Sequence, residues 1–153
     1  MRRSLPDRFS SRGRVMSKTF SAQLSNWVRS SKSRLEAVVK ESAQRLFEQA
    51  QTPIAQGGNL PVDTGFLRSS FSVDYGSMPS GPAQNPGKKN HTFDNSSIAL
   101  RLTGFTPGET IYAGWTAEYA VYMEVRYAFQ RRAAQNWSVI VKDVVSELKQ
   151  RSR

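Results

Sequence analysis

The residues of this chain that come nearest to a catalytic group are Asp63, Thr64 and Gly65, which follow one another directly. Two aspartates brought together across a dimer can share one proton and activate a water molecule for hydrolysis. A tripeptide of this kind therefore raises the hypothesis of an acid protease. The surrounding sequence has to decide whether the hypothesis fits.

The context of Asp63 favours a structural role over hydrolysis. Aspartic proteases of the retroviral type place this tripeptide after an apolar strand, whereas here it follows a loop at 57–61 that contains two glycines and a proline. A long helix near the N-terminus also does not suit a small β-rich protease. We expect Asp63 to accept hydrogen bonds from backbone N–H groups of a tight turn. Gly65 then supplies a backbone conformation that other residues resist.

Other candidates for chemistry are sparse. The chain has no Cys and a single His, His91, which excludes thiolate sites and His-rich metal sites. We expect His91 to be solvent-exposed, and we expect no metal and no cofactor. Glu118 and Glu124 flank a predicted short helix, where a capping or intersubunit role is favoured over acid–base work. The three tryptophans, Trp27, Trp115 and Trp137, are predicted to be core or interface anchors.

Charge and composition bound the remaining functions. The 153 residues carry 22 Lys and Arg against 12 Asp and Glu, a net charge of +10. Residues 1–18 hold a net +5 and residues 130–153 a net +4, so the middle of the chain is nearly neutral. Basic ends suggest contact with a polyanion, although solvated tails explain them equally simply. No apolar run is long enough to span a bilayer, and we expect no membrane partner.

Any contact with nucleic acid would be made to the phosphate backbone and would be indifferent to sequence. Aromatic residues do not alternate with the basic ones in the way that single-strand binding requires. The side chains that could contact DNA or a partner are Arg2, Arg3, Arg12, Arg14, Lys88 and Lys89.

The chain is organised as a tail followed by one domain. Residues 1–18 are rich in Ser and Arg and predict a flexible basic tail; Met16 could be the physiological start. From residue 19 to about Gln51, apolar residues recur at steps of three and four, which predicts an amphipathic helix ended by Pro53. The serines at 30, 31 and 33 are weak helix formers and could kink it or divide it into two helices. Residues 76–97 form a long loop within the domain 19–150.

Three alternating segments predict strands at 71–75, 98–103 and 110–116, with the last two paired as a hairpin. Residues 117–125 predict a short helix, and a final helix starts near Gln130. Strands grouped between helices predict an α+β fold: a long N-terminal helix, a small antiparallel sheet and a C-terminal helix packed on the sheet.

The segment from Pro61 to Ser70 resembles a family, the neck proteins of long-tailed bacteriophages. These head–tail joining or tail-completion proteins, also found in gene transfer agents, carry the pattern Pro-Val-Asp-Thr-Gly-x-Leu-x-x-Ser. A second pattern of the family has a Tyr-Ala step, a Glu-aromatic-Gly segment and a Phe-Leu-x-x-Ala start of the last helix. Val125 and Arg126 depart from it. The matching residues of the first pattern are Pro61, Val62, Asp63, Thr64, Gly65, Leu67 and Ser70, with Arg68 inside it, and those of the second are Tyr119, Ala120, Glu124, Phe129 and Ala133.

The resemblance implies a virion structural protein and not an enzyme. Such proteins form a ring, usually of six copies, between the capsid connector or adaptor and the tail terminator or tail tube. Double-stranded DNA passes through the lumen of the ring. The expected location is the head–tail junction of the virion, and the host cytoplasm during assembly. The alternative is a small basic protein that binds nucleic acid without regard to sequence.

Overall fold

The computed structural model describes residues 11–81, 83–87 and 89–153, with side chains from Phe20 onward. The protein is an α+β protein, as the sequence predicts, with a long first helix, a small antiparallel sheet and helices at the C-terminal end. Its elements are α1 (Ser11–Ala50), α2 (Phe66–Ser69), β1 (Phe71–Tyr75), α3 (Ser96–Leu102), β2 (Ile111–Trp115), α4 (Ala120–Tyr127), α5 (Phe129–Gln135) and α6 (Trp137–Arg151).

Helix α1 runs without interruption through the serines that suggested a kink. The chain divides into two compact units within this helix. The first unit ends at Leu35, and the second comprises Glu36–Arg153. Every residue from 20 to 35 is exposed, whereas Ser42, Ala43 and Ala50 are buried. Residues 1–10 of the predicted basic tail lie outside the described residues, and the backbone of residues 11–18 belongs to α1.

The sheet has two strands, β1 and β2, which pair antiparallel with Phe71 opposite Trp115 and Tyr75 opposite Ile111. The prediction of a strand at 98–103 is wrong, and with it the predicted hairpin, because these residues form α3. The alternation of Ile98, Leu100 and Leu102 was misleading. Ile98 and Leu102 are also four residues apart, and the helix buries both while Leu100 points outward.

Asp94 is the local reason for the start of α3. Its carboxylate accepts hydrogen bonds from the Ser96 backbone N–H at 2.9 Å and from the Ser96 hydroxyl. These bonds satisfy a donor that the first turn of a helix leaves without a partner. They also hold the pKa of Asp94 below its ordinary value.

The core of the second unit consists of two hydrophobic clusters that meet at Trp115. Trp115 packs against both, with its ring centroid 5.0 Å from that of Phe71 and 4.8 Å from that of Phe129. Since Phe129 belongs to α5, this contact packs a C-terminal helix on the sheet. The first cluster contains Leu60, Phe66, Leu67, Ala117, Ala120 and Phe129, and the second contains Ala43, Phe71, Val73, Ile98 and Leu102.

The predicted final helix is divided into α5 and α6 at Asn136. Helix α6 is tied to α1 by Arg45, whose guanidinium donates a hydrogen bond of 2.9 Å to Glu147 and one of 3.0 Å to Glu41. The hydrogen bond to Glu147 is the main cause of the raised pKa of Arg45, and burial opposes it. The same pairing lowers the pKa of Glu147. Both side chains stay partly exposed, so the pair orients α6 more than it stabilises the fold.

Candidate functional site

The turn at Thr64 and Gly65 joins the loop after α1 to the sheet. Gly65 has φ +79°, in the left-handed region where glycine is favoured. A Cβ atom at this position would lie 2.3 Å from the carbonyl oxygen of His91, so no other residue fits without a rearrangement. The expectation that Gly65 supplies a conformation that other residues resist is confirmed.

The expectation that Asp63 caps this turn is wrong. The capping atom is the hydroxyl of Thr64, which accepts a hydrogen bond from the Phe66 backbone N–H at 3.3 Å. The Thr64 carbonyl accepts a second bond, from the His91 N–H at 2.7 Å. Asp63 is exposed, and no residue that the structure describes hydrogen-bonds to its carboxylate. The sequence could not separate these roles, because Asp and Thr are both common caps.

Asp63 instead lies at the edge of a pocket of about 320 Å³, which we call the Asp63 pocket. Tyr119 faces it, and burial together with the neighbouring Asp63 charge raises the pKa of the Tyr119 hydroxyl. Among the described residues, Asp63 contributes the one carboxylate of the pocket wall. The lining residues are Pro61, Asp63, Thr64, Gly65, Leu67, Asn85, Tyr119 and Met123.

The two sequence patterns meet at this pocket. Tyr119 and Met123 of the second pattern region line it beside the first pattern, and the rings of Phe66 and Tyr119 are 6.2 Å apart. Below it, Ala120 and Phe129 pack in the same cluster as Phe66 and Leu67. Patterns that lie almost fifty residues apart in the sequence therefore form one folded region.

Glu124 and Ala133 have structural roles in that region. The Glu124 carboxylate accepts hydrogen bonds from the backbone N–H groups of Gln130 at 2.8 Å and Arg131 at 3.1 Å. It therefore caps α5, which confirms one of the two roles expected for it. Ala133 is buried on α5. The path between α4 and α5 turns at Ala128, which adopts a left-handed φ of +53°.

Gln51, which sequence reasoning missed, joins the first pattern to the sheet. Its side chain is fully buried. The amide nitrogen donates a hydrogen bond of 2.9 Å to the Arg68 carbonyl, and the amide oxygen accepts one of 3.0 Å from the Trp115 indole N–H. Arg68 in turn donates to the Gln51 carbonyl at 3.1 Å and lies over the Phe93 ring. Ser70 also anchors the sheet, because its carbonyl accepts the Thr116 N–H at 3.1 Å. No pattern in the sequence marks a glutamine as buried.

The remaining predicted residues are placed as follows. His91 is half-buried and not exposed as predicted, because its ring packs 5.2 Å from that of Phe66. Lys89 is exposed. Pro61 is half-buried and Val62 is exposed. The side chains of Arg2, Arg3, Arg12, Arg14 and Lys88 lie outside the part of the chain that the structure describes.

Among the described residues, groups of exposed large apolar side chains occur on two helices, and such groups are typical of interaction surfaces. The first, which we call the exposed stripe, lies on α1 and contains Phe20, Leu24, Trp27, Val28 and Leu35, each between 39% and 68% exposed. The second is the outer face of α4, where Val121, Tyr122 and Val125 are 71% to 76% exposed. The sequence predicts the stripe, but α4 is too short for its outer face to be recognised by periodicity.

Among the described residues, no group of His, Cys, Asp or Glu side chains is arranged to hold a metal ion. Within the same part of the chain, no helix is long and apolar enough to cross a membrane. No protein-family model, curated protein or solved structure matches the chain.

Proposed function

We propose that this chain is a structural protein of the head–tail junction of a long-tailed phage or a gene transfer agent. Six copies of the chain form a ring between the capsid connector and the tail tube. The ring leaves a channel for double-stranded DNA. The chain acts by docking and has no catalytic role. Its place is the virion, and the host cytoplasm during assembly.

The observation that supports this proposal most is the meeting of the two family patterns at the Asp63 pocket. Gly65 has a backbone conformation that explains why the first pattern requires glycine. Glu124 and Phe129 likewise explain the second pattern, since one caps α5 and the other fills the core beneath the first pattern. The residues that carry the resemblance are therefore those that build one compact region.

The exposed apolar surfaces give the proposal independent support. A ring joins each subunit to two neighbours through head-to-tail contacts, and each contact needs two complementary surfaces. The exposed stripe and the outer face of α4 are two different surfaces that hold apolar side chains in water. Removal of such apolar area from water favours association.

Labelling and deletion test the proposal directly. An antibody raised against the purified chain should label the junction of shell and tail in particles from the source organism. Deletion of the gene should yield filled shells and separate tails, and a plasmid copy should restore joined particles. A plasmid copy that carries Gly65→Val should restore few joined particles, because the turn at Gly65 cannot form. Label elsewhere on the particle, or normal particles after deletion, would contradict the proposal.

The alternative function is sequence-independent binding of nucleic acid. Its support is the stretch 20–35, where Arg29, Lys32 and Arg34 are exposed and no acidic residue occurs. On this alternative, the free chain binds a short DNA duplex with an affinity that falls steeply as salt rises. Replacing these three basic residues with Gln should then make the affinity for DNA less dependent on salt. The joining function instead predicts that the natural chain and the Gln variant both bind DNA weakly and with similar affinity.

A further inference from the structure

The Asp63 pocket holds a negative charge that none of the described residues neutralises. The Asp63 carboxylate is exposed and makes no hydrogen bond or ion pair with them, whereas the carboxylates of Asp94 and Glu124 accept hydrogen bonds from backbone N–H groups. Burial raises the pKa of the Tyr119 hydroxyl, so this group stays uncharged at neutral pH. A ligand of the pocket should therefore be a cation with a single charge.

The rest of the pocket wall suits an aliphatic stem. Pro61, Leu67 and Met123 contribute apolar side chains, and Tyr119 is aromatic. The volume of about 320 Å³ lies at the lower end of the range of about 300–1,000 Å³ that is typical of ligand pockets. The pocket therefore suits one long side chain better than a larger ligand.

An arginine side chain matches this combination better than a lysine side chain. The planar guanidinium can pair with a carboxylate through two parallel hydrogen bonds and can stack on an aromatic ring. It is also less strongly hydrated than an ammonium group, and its methylene stem can cover apolar surface. Among the described residues that line the pocket, none is basic, so no cation of the wall competes for Asp63.

Contacts within the fold hold the pocket wall in place. Gly65 and Thr64 form the turn on one side, and Leu67 belongs to the first hydrophobic cluster. The Thr64 carbonyl also accepts the His91 N–H at 2.7 Å. A site with a wall that is already ordered loses little conformational entropy when a ligand binds.

We propose that the Asp63 pocket binds an arginine side chain presented by an extended segment of protein. Its guanidinium pairs with the Asp63 carboxylate, and its stem lies along Leu67 and Met123. The inference goes beyond the proposed joining function and does not depend on it.

The chain itself contains one source of the arginine. Residues 1–10 include Arg2, Arg3 and Arg8 but no Lys. A partner protein with an exposed arginine is the other source, and the same pairing with Asp63 would hold it.

Binding of a labelled peptide tests the pocket. The probe is a synthetic peptide of residues 1–10 with a fluorophore at its C-terminus, and fluorescence anisotropy follows its binding. The receptor is the full chain with Arg2→Gln, Arg3→Gln and Arg8→Gln, so that its own arginines do not compete. Because the natural chain has a net charge of +10, its overall field does not attract a basic peptide, and binding reports a local site.

Charge removal at Asp63 should abolish most of this binding. Asp63→Asn in the receptor should weaken the affinity about tenfold or more, the loss expected for a hydrogen bond to a charged group. Asp74→Asn, the same change at another exposed aspartate, should leave the affinity unchanged. Circular dichroism checks that each variant is folded. Equal affinity of the two variants would overturn the proposal.

Peptides with changed arginines test the ligand class. A peptide with Gln at the three arginine positions should not bind measurably, and one with Lys should bind more weakly than the natural peptide. A Gln peptide that binds as well as the natural one would overturn the proposal. A Lys peptide of equal affinity would reject the preference for a guanidinium.

A cross-link identifies the source of the arginine. The natural sequence has no Cys, so Ser4→Cys and Val62→Cys place unique thiols within residues 1–10 and next to Asp63. After treatment with a short bis-maleimide, a ladder of dimers and larger species would assign the arginine to a second copy. A monomer that migrates faster would assign it to the same chain.

Either cross-linked product should be lost when Asp63→Asn is added, and a product that persists would reject the pairing. Peptide binding that depends on Asp63, without any cross-link, would assign the arginine to a partner protein.

The joining function and the arginine site fail separately. Label away from the head–tail junction would reject the joining function and leave the site standing. Peptide binding that does not depend on Asp63 would reject the site alone.

Discussion

Residues 20–35 and residues 36–51 contain similar numbers of apolar residues, six and seven, but differ in burial and in charge. In 20–35 every side chain is exposed, and the charged residues are all basic. In 36–51 three glutamates occur, Lys40 pairs with Glu36 and Arg45 with Glu41, and Ser42, Ala43, Ala50 and Gln51 are buried. Apolar periodicity thus predicts that a helix face will be covered, but not whether the cover belongs to the same chain.

The two stretches should therefore respond differently to substitution. Substitutions in 36–51 should change the free energy of unfolding of the single chain. Substitutions in 20–35 should act mainly on association between chains and should change the free energy of unfolding of the single chain by no more than about 0.5 kcal/mol.

Removal of the Phe47 ring should have the largest effect. Phe47 packs 5.5 Å from Phe71 in the second cluster, and Phe47→Ala should lower the free energy of unfolding by about 2–4 kcal/mol. Denaturant titration followed by circular dichroism measures the change. A loss below about 1 kcal/mol would show that residues 36–51 do not anchor the fold as the contacts indicate.

The Gln51→Leu variant should follow. The substitution leaves the Trp115 indole N–H and the Arg68 carbonyl without their buried partner, at a cost of about 1–3 kcal/mol. Gln49→Leu is the matched control, because Gln49 is exposed two residues earlier and should cost under about 0.5 kcal/mol. Equal losses in the two variants would mean that the buried amide bonds add nothing.

The Arg45–Glu147 pair should give a smaller effect that depends on pH. The pKa of Glu147 is lowered in the folded chain, chiefly by its hydrogen bond from Arg45. Its contribution to stability is therefore present above the ordinary carboxyl pKa and is lost as the pH falls through the lowered value.

The stability difference between the natural chain and Glu147→Gln measures this contribution. It should be present at pH 7, decline below about pH 4 and shrink in high salt. A difference that does not change with pH would assign the effect to packing and not to charge.

The Ser42→Ala variant should be more stable than the natural chain. The Ser42 hydroxyl is buried without a hydrogen-bond partner among the described residues, and alanine is the better helix former. We expect a gain of about 0.5–1.5 kcal/mol. Ser33→Ala, at an exposed position of the other stretch, should show only the propensity gain of about 0.5 kcal/mol. A loss on Ser42→Ala would reveal a bond to the hydroxyl that forms in solution.

The Trp27→Ala variant should have the smallest effect on the single chain. Trp27 is 68% exposed, so the free energy of unfolding of the dilute chain should change by less than about 0.5 kcal/mol. Sedimentation at high concentration should instead show weaker association. A large loss of stability in dilute solution would mean that the tryptophan is covered within its own chain.

Sequence reasoning recovered the elements whose signals are local. The end of α1 before Pro53 and the alternation in β1 are set by neighbouring residues, and both were predicted. Helix α3 was missed because Ile98 and Leu102 satisfy both the period of a strand and that of a helix. The cap formed by Asp94 and Ser96 was the available signal for the helix.

At the candidate site, sequence reasoning identified residues but not all of their roles. Gly65 could be assigned because a left-handed turn leaves few choices. Whether Asp63 or Thr64 caps the turn depends on which side chain accepts the Phe66 N–H, and this is fixed only by the folded geometry of the turn. The burial of Gln51 depends on partners 17 and 64 residues away, which no local pattern reveals.

The long segment after β1 is hydrogen-bonded to the rest of the domain on both sides of Gly87, and this has a practical consequence. The Ala83 N–H donates to Thr116 at 2.6 Å and the His91 N–H donates to Thr64 at 2.7 Å. Between them Gly87 is exposed, with open space around its α-carbon. A short epitope inserted after Gly87 would therefore leave both anchors intact, and would provide a visible tag for locating single copies by electron microscopy.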